Sequence, residues 1–290
     1  MVGYRTKFGE DSFFDLETET YDKVLHRMYD EGNKTLDLGV LGGWLCVVCN
    51  YDTNHVADVW VMKDYGEKDS WTKLVSIPYP IRNPLMAADF TRVVGSCKGL
   101  LCISHYRGLS IYNPSPRRCN MLYGGFSDEH PYQVGYGFGY VMSTDDYKVV
   151  GISNADNKVK MYSLNTRNWK NLSDFPHGCK VGDDAVFLNG CVQWLDIVPN
   201  LWKLVSFNLE TKTYDEVLHP KYDEDKKTLD LRVLGGWLCV VYNYDTNHVA
   251  DVWVMKDYGE KDSWTKLVSI PYPVSRIHPS RIPYPEISDI

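Results

Sequence analysis

Several clusters in the sequence carry residue types that could do chemistry. Cys46 and Cys49 stand at the C-x-x-C spacing of zinc and dithiol sites. Such a pair needs both thiols on one side of a turn. Here Cys46-Val47-Val48-Cys49 lies in an apolar run that reads as a strand, where residues three apart face opposite ways. No second C-x-x-C accompanies it. Gly135-Tyr136-Gly137-Phe138-Gly139 is glycine-rich but lacks the G-x-G-x-x-G spacing of a phosphate loop, and it reads as the start of a strand. Gly95-Ser96-Cys97-Lys98-Gly99 is not a nucleophile elbow, which would need single-residue gaps between the serine and two glycines. His55 near Asp52, and His248 near Asp245, have the types for acid–base work. Neither has a Ser or Cys nucleophile at a recognisable spacing, and both read as polar loops. The expectation is no catalytic residue, no metal site and no cofactor.

The elements that hold these residues are organised by repeats. Residues 14–80 recur at 207–273 with a constant shift of 193, and 58 of the 67 positions are identical. From Val40–Pro80 against Val233–Pro273 only Cys49, matched by Tyr242, differs. Either a recent copying of the DNA or a wrongly assembled gene would give such a match. An older, weaker repeat lies beneath it. Short alternating runs such as Ile111-Tyr112-Asn113-Pro114, Val159-Lys160-Met161-Tyr162, Leu204-Val205-Ser206-Phe207 and Val252-Trp253-Val254-Met255 each lead through a turn to Cys119, Trp169, Tyr214 or Trp264. Alternation marks half-buried strands, and the polar stretch between marks a hairpin. A Gly followed by an apolar run precedes most of them, as in Gly42-Gly43-Trp44 and Gly99-Leu100-Leu101. The period of roughly 40–55 residues is that of propeller blades. The expected fold is all-β, a kelch-type β-propeller of about five blades near 36–80, 90–123, 136–176, 184–220 and 229–273. Residues 1–35 would be a partial blade remnant, 36–80 the duplicated blade, 81–273 the main propeller region and 274–290 a loose Pro-rich tail. Because the copy begins inside a blade, residues 12–27 would lack their first strands, leaving an imperfectly closed ring and marginal stability.

Composition narrows the function classes. A net charge of −7 without a basic stripe excludes general nucleic-acid binding. No segment approaches the ~20 apolar residues that span a bilayer, and the first residues lack a signal-peptide run, so a cytoplasmic or nuclear protein with no membrane contact is expected. Eight cysteines, mostly within apolar runs, fit reduced core thiols. Asp64-Tyr65-Gly66-Glu67-Lys68-Asp69-Ser70-Trp71 has the flavour of the aspartate turns of glycosidase propellers but not their residue order. A carbohydrate-active five-bladed propeller, with paired carboxylates at its channel, is the alternative.

A further set of blocks is shared with a known family. Val93-Val94-Gly95-Ser96-Cys97-Lys98-Gly99-Leu100-Leu101-Cys102, Ile111-Tyr112-Asn113-Pro114-Ser115, Gly137-Phe138-Gly139-Tyr140 with Asp145-Asp146-Tyr147-Lys148, Asn189-Gly190-Cys191-Val192-Gln193-Trp194, and Val252-Trp253-Val254-Met255-Lys256-Asp257-Tyr258-Gly259 with Ser263-Trp264 occur in order. The set resembles the plant F-box-associated domain, including that of S-locus F-box-like proteins. The resemblance implies a kelch-like propeller that recruits a target protein for ubiquitination, while a separate F-box binds the Skp adaptor of an SCF ubiquitin ligase. Residues 1–45 show no F-box pattern, which implies no Skp docking by this stretch, and a rearranged or truncated recognition domain. Loops on a rigid scaffold usually carry recognition. The candidate protein-binding residues are therefore Tyr51, Asp52, His55, Tyr106, Arg107, Tyr244, Asp245 and His248, in the loops Asn50–His55, His105–Arg107, Asp196–Asn200 and Asn243–His248.

Overall fold

The computed structural model describes residues 2–5, 11–15, 20–23, 34–41, 44–51, 56–64, 67–78, 92–105, 108–116, 118–126, 133–175, 180–198, 201–220, 227–244 and 249–271. The expected tail at 274–290 lies outside them. β1 (Val2–Arg5), β2 (Asp11–Asp15) and β3 (Thr20–Lys23) form a three-stranded sheet. Five four-stranded meanders follow. Blade 1 is β4 (Lys34–Leu41), β5 (Trp44–Tyr51), β6 (Val56–Met62) and β7 (Trp71–Pro78). Blade 2 is β8 (Arg92–Cys97), β9 (Leu100–His105), β10 (Gly108–Asn113) and β11 (Arg118–Leu122). Blade 3 is β12 (Val134–Val141), β13 (Asp146–Ser153), β14 (Val159–Ser163) and β15 (Asn168–Asn171). Blade 4 is β16 (Lys180–Leu188), β17 (Cys191–Val198), β18 (Leu201–Asn208) and β19 (Tyr214–Val217). Blade 5 is β20 (Lys227–Leu234), β21 (Trp237–Tyr244), β22 (Val249–Met255) and β23 (Trp264–Pro271). The chain is thus an all-β propeller of five blades, as the period predicts. No helix among the described residues is long and apolar enough to cross a membrane.

The first strand of each blade touches the first strand of the next, from β4 to β8, β12, β16 and β20. These strands line the axis. Each blade is sandwiched between neighbours, so its middle strands are buried on both faces, as in Leu100–His105. Apolar clusters fill the seams. Cys46, Val48, Val59 and Val61 of blade 1 meet Leu101, Ile103 and Tyr112 of blade 2. Val150, Ile152 and Met161 of blade 3 meet Val192, Trp194 and Val205 of blade 4. The glycine-rich run lies in β12, where its glycines let that strand lie flat on blade 4. A Cβ on Gly137 would come within 2.2 Å of Val192 Cγ1, and one on Gly139 within 2.2 Å of Phe187 Cδ2. The alternation Gly-Tyr-Gly-Phe-Gly therefore encodes a bare face toward blade 4 and an aromatic face toward blade 2.

The first sheet repeats part of blade 4. Phe14 pairs with Val2 and Tyr21 as its copy, Phe207, pairs with Val192 and Tyr214. β2 and β3 thus stand for β18 and β19, and β1 takes the place of β17. Among the described residues this sheet has no counterpart of β16. Val2–Arg5 makes it one strand more complete than the sequence suggested.

Candidate functional site: the two ends of the propeller

Antiparallel strands alternate direction, so each blade places its first and third turns at one end of the propeller and its second turn at the other. The loops chosen from sequence are all second turns. They link β5 to β6, β9 to β10, β17 to β18 and β21 to β22, and therefore share one end. Asp52, His55, Tyr106, Arg107, Asp245 and His248 lie outside the described residues. Tyr51 is the last residue of β5 and pairs with Lys34 and Val56. Tyr244 closes β21, half-buried against the cluster that joins blades 4 and 5. Two residues of the chosen loops are internal: Asp196 is buried in β17, and His105 is buried at the end of β9.

The opposite end carries a signal that sequence reasoning passed over. Trp44, Met142 and Trp237 are 43%, 79% and 41% exposed, high values for large apolar side chains. All three flank turns between a first and a second strand. Gly42-Gly43-Trp44 was legible as a tight turn and a strand start. That its tryptophan faces outward depends on which side of β5 the neighbouring blades occupy. The corresponding turns of blades 2, 4 and 5 are tight hairpins. Cys97 pairs with Leu100, Leu188 with Cys191 and Leu234 with Trp237, leaving two residues in each turn. Those residues, Lys98-Gly99, Asn189-Gly190 and Gly235-Gly236, all have positive φ, the hairpin geometry that matches strand twist.

Lys98 brings charge to this end. Its ammonium lies 3.6 Å above the centre of the Tyr140 ring. Tyr140 meets Tyr147 edge-on at 5.0 Å, and Tyr147 stacks on Phe138 at 5.9 Å. The Tyr140 hydroxyl donates to Asp145, and this bond to a carboxylate pushes the phenol up to about 12. The Tyr147 hydroxyl donates to the Lys98 carbonyl at 3.3 Å.

Catalytic readings meet specific obstacles. The sequence spacing offers no nucleophile to His55 or His248, but His105 Nε2 stands 2.8 Å from Ser110 Oγ. Neighbouring strands β9 and β10 create the pair. Both residues are buried, 3% and 0% exposed, so no substrate carbonyl reaches the hydroxyl. Two carboxylates repeated in blades 1 and 5 are engaged in structural contacts. Asp58 holds Lys73 and Ser76, and Asp251 holds Lys266 and Ser269. Burial alone would raise the Asp146 carboxyl, but bonds from Lys148, Ser163 and the Asn165 N–H outweigh it and hold it below the usual range. A glycosidase acid needs the reverse shift. Cys46 faces blade 2, while the copy of Cys49, Tyr242, faces blade 4, so the C-x-x-C thiols point to opposite faces. No cluster of three or more metal-binding side chains occurs among the described residues.

Comparison with known proteins adds a family. The F-box associated beta propeller domain matches residues 79–282. The Arabidopsis thaliana F-box/kelch-repeat protein At3g23880 is 33% identical over 200 residues, covering 64% of this chain and 55% of that protein. The F-box protein CPR1 of the same plant is 28% identical, covering 67% of this chain and 56% of that protein. The F-box protein At4g22390, also from Arabidopsis thaliana, is 31% identical, covering 72% and 59% respectively. The chain spans a little over half the length of these relatives. A chain in a crystal structure of a nidogen/laminin complex shares the fold, with a TM-score of 0.53 at 8% identity over 90% of each chain.

Proposed function

The chain belongs to the F-box associated β-propeller family, and on that premise we propose that it is a target-recognition domain of the SCF ubiquitin-ligase type, binding a partner protein inside the cell without catalysing a reaction. The observation that carries the reading is the display of Trp44, Met142 and Trp237 beside the turns between first and second strands, at one end of the ring. Large side chains that lose little freedom on binding are the usual anchors of protein interfaces. The loops with Tyr51, Asp52, His55, Tyr106, Arg107, Tyr244, Asp245 and His248, which follow the second strands, are the rival candidate surface at the other end. Residues 1–45, where described, are strands, so adaptor binding by this stretch is not part of the proposal.

The test is photo-crosslinking in plant cells. A crosslinking amino acid at Trp237 should trap a discrete partner, and one in place of Tyr244 should trap less of it. Equal trapping at both ends, or none at either, would defeat the assignment of the recognition end. Recovery of a Skp adaptor with residues 1–290 alone would overturn the exclusion of adaptor binding.

A further inference from the structure

Lys98 occupies an unusual position. The matching turns of blades 4 and 5 use Asn189-Gly190 and Gly235-Gly236, residues that accept positive φ readily. Lys98 adopts φ 43 in the same place, a conformation costly for a long side chain that Arg167 and Lys212 also take in other turns. Nothing in the turn requires its ammonium, because the rings below it are held by other bonds. Tyr147 is fixed by the Lys98 main-chain carbonyl, Tyr140 by Asp145, and Phe138 supports Tyr147 from the core. The exposed ammonium rests on an aromatic face that is already built. The hydroxyl–carboxylate bond makes the Tyr140 ring electron-rich, which strengthens its hold on a cation.

We propose that Tyr140, Tyr147 and Asp145 form a binding site for an arginine side chain of a partner protein, capped by Lys98 until the partner arrives. The proposal rests on the recognition reading and names the partner's chemistry. A guanidinium suits the site better than the resident ammonium. It is planar, more weakly hydrated, stacks on aromatic rings and forks onto a carboxylate. The chain's net charge of −7 favours a cationic partner. Lys98 acts as a tethered competitor that the arginine displaces.

The test uses the full chain and a short serine–glycine peptide with one central arginine, titrated by NMR at the tyrosine ring signals. Lys98→Asn recreates the Asn-Gly turn of blade 4 and uncovers the ring. It should bind the arginine peptide about tenfold more tightly than the unaltered chain, as expected when a tethered competitor is removed. The same peptide with citrulline should bind neither. Lys98→Asn combined with Tyr140→Leu should abolish binding, and with Tyr140→Phe, which keeps the ring, should retain part of it. Equal affinity of Lys98→Asn and the unaltered chain would overturn the proposal, as would full binding in the Tyr140→Leu pair. Arginine-peptide binding together with failure of the Trp237 crosslink would leave this site standing and remove the recognition reading.

Discussion

Blades 1 and 5 are nearly the same sequence in two settings. Inside each blade the structure repeats. Asp58 takes Lys73 at 3.1 Å and Ser76 at 2.6 Å, and Asp251 takes Lys266 at 2.8 Å and Ser269 at 2.7 Å. Both have a register shift between the second valine of the third strand and its tryptophan, Val59/Trp60 and Val252/Trp253. Between blades they differ. Trp264 Nε1 donates to the Leu218 carbonyl of blade 4 at 2.7 Å, just as Trp169 of blade 3 donates to Tyr123 of blade 2 at 3.1 Å. Among the described residues the copied Trp71 Nε1, also buried, has no hydrogen-bond partner; Leu25, which matches Leu218, lies outside them. Tyr242 reaches the Pro220 carbonyl at 3.3 Å, where blade 1 has Cys49. A blade's internal geometry travels with its sequence, while among the described residues its bonds across the seam differ between the two settings. A buried N–H without a partner is destabilising, so Trp71 is expected to stabilise its blade less than Trp264 does.

Replacing each tryptophan should break this symmetry most strongly. Trp264→Ala should cost ~3–5 kcal/mol by urea denaturation, because it empties a buried site and orphans a carbonyl, whereas Trp71→Ala should cost clearly less. Equal losses would mean that the missing bond is energetically silent. Tyr242→Cys makes the two blades identical over this region and should cost about 2 kcal/mol through lost volume and the lost bond to Pro220. Trp264→Phe should cost about 1 kcal/mol and Trp71→Phe nothing or less, read by the same melts. Asp58→Asn and Asp251→Asn should cost equal amounts, at most about 1 kcal/mol each, since their lysine partners are half in solvent. A large difference there would show that neighbours also tune the interior of a blade.

The smallest effect tests blade 3, which belongs to neither copy. Asp146 has a depressed carboxyl in the folded state, so its contribution is present above the unfolded value, near pH 4, and is lost as pH falls below it. Asp146→Asn should flatten the acid limb of the pH–stability curve and leave the neutral-pH shape of that curve unchanged. A steep acid limb in the variant would assign acid sensitivity elsewhere.

Much of the fold was legible. The blade period, the Gly-led apolar runs and the recurring Trp or Tyr of the fourth strand specify an all-β propeller, because strand alternation and turn chemistry are local properties. The duplication was also legible, down to its single late difference at Cys49. The candidate site was less so. Sequence pointed to polar second-turn loops such as Asp52–His55, because polarity and loop length can be read along the chain. It passed over Trp44 and Trp237, since a tryptophan at a strand start looks the same whether it faces a neighbour or water.

The sequence alone therefore determines the unit: its strands, its turns and the Asp–Lys–Ser contact within it, all set by residues close along the chain or across one hairpin. Only the tertiary structure decides what meets across a seam. It places Lys98 over Tyr140, seals His105 and Ser110 from solvent, and gives Trp264 the Leu218 carbonyl. Those outcomes depend on which blade stands next in the ring, and the residues of one blade do not encode their neighbour.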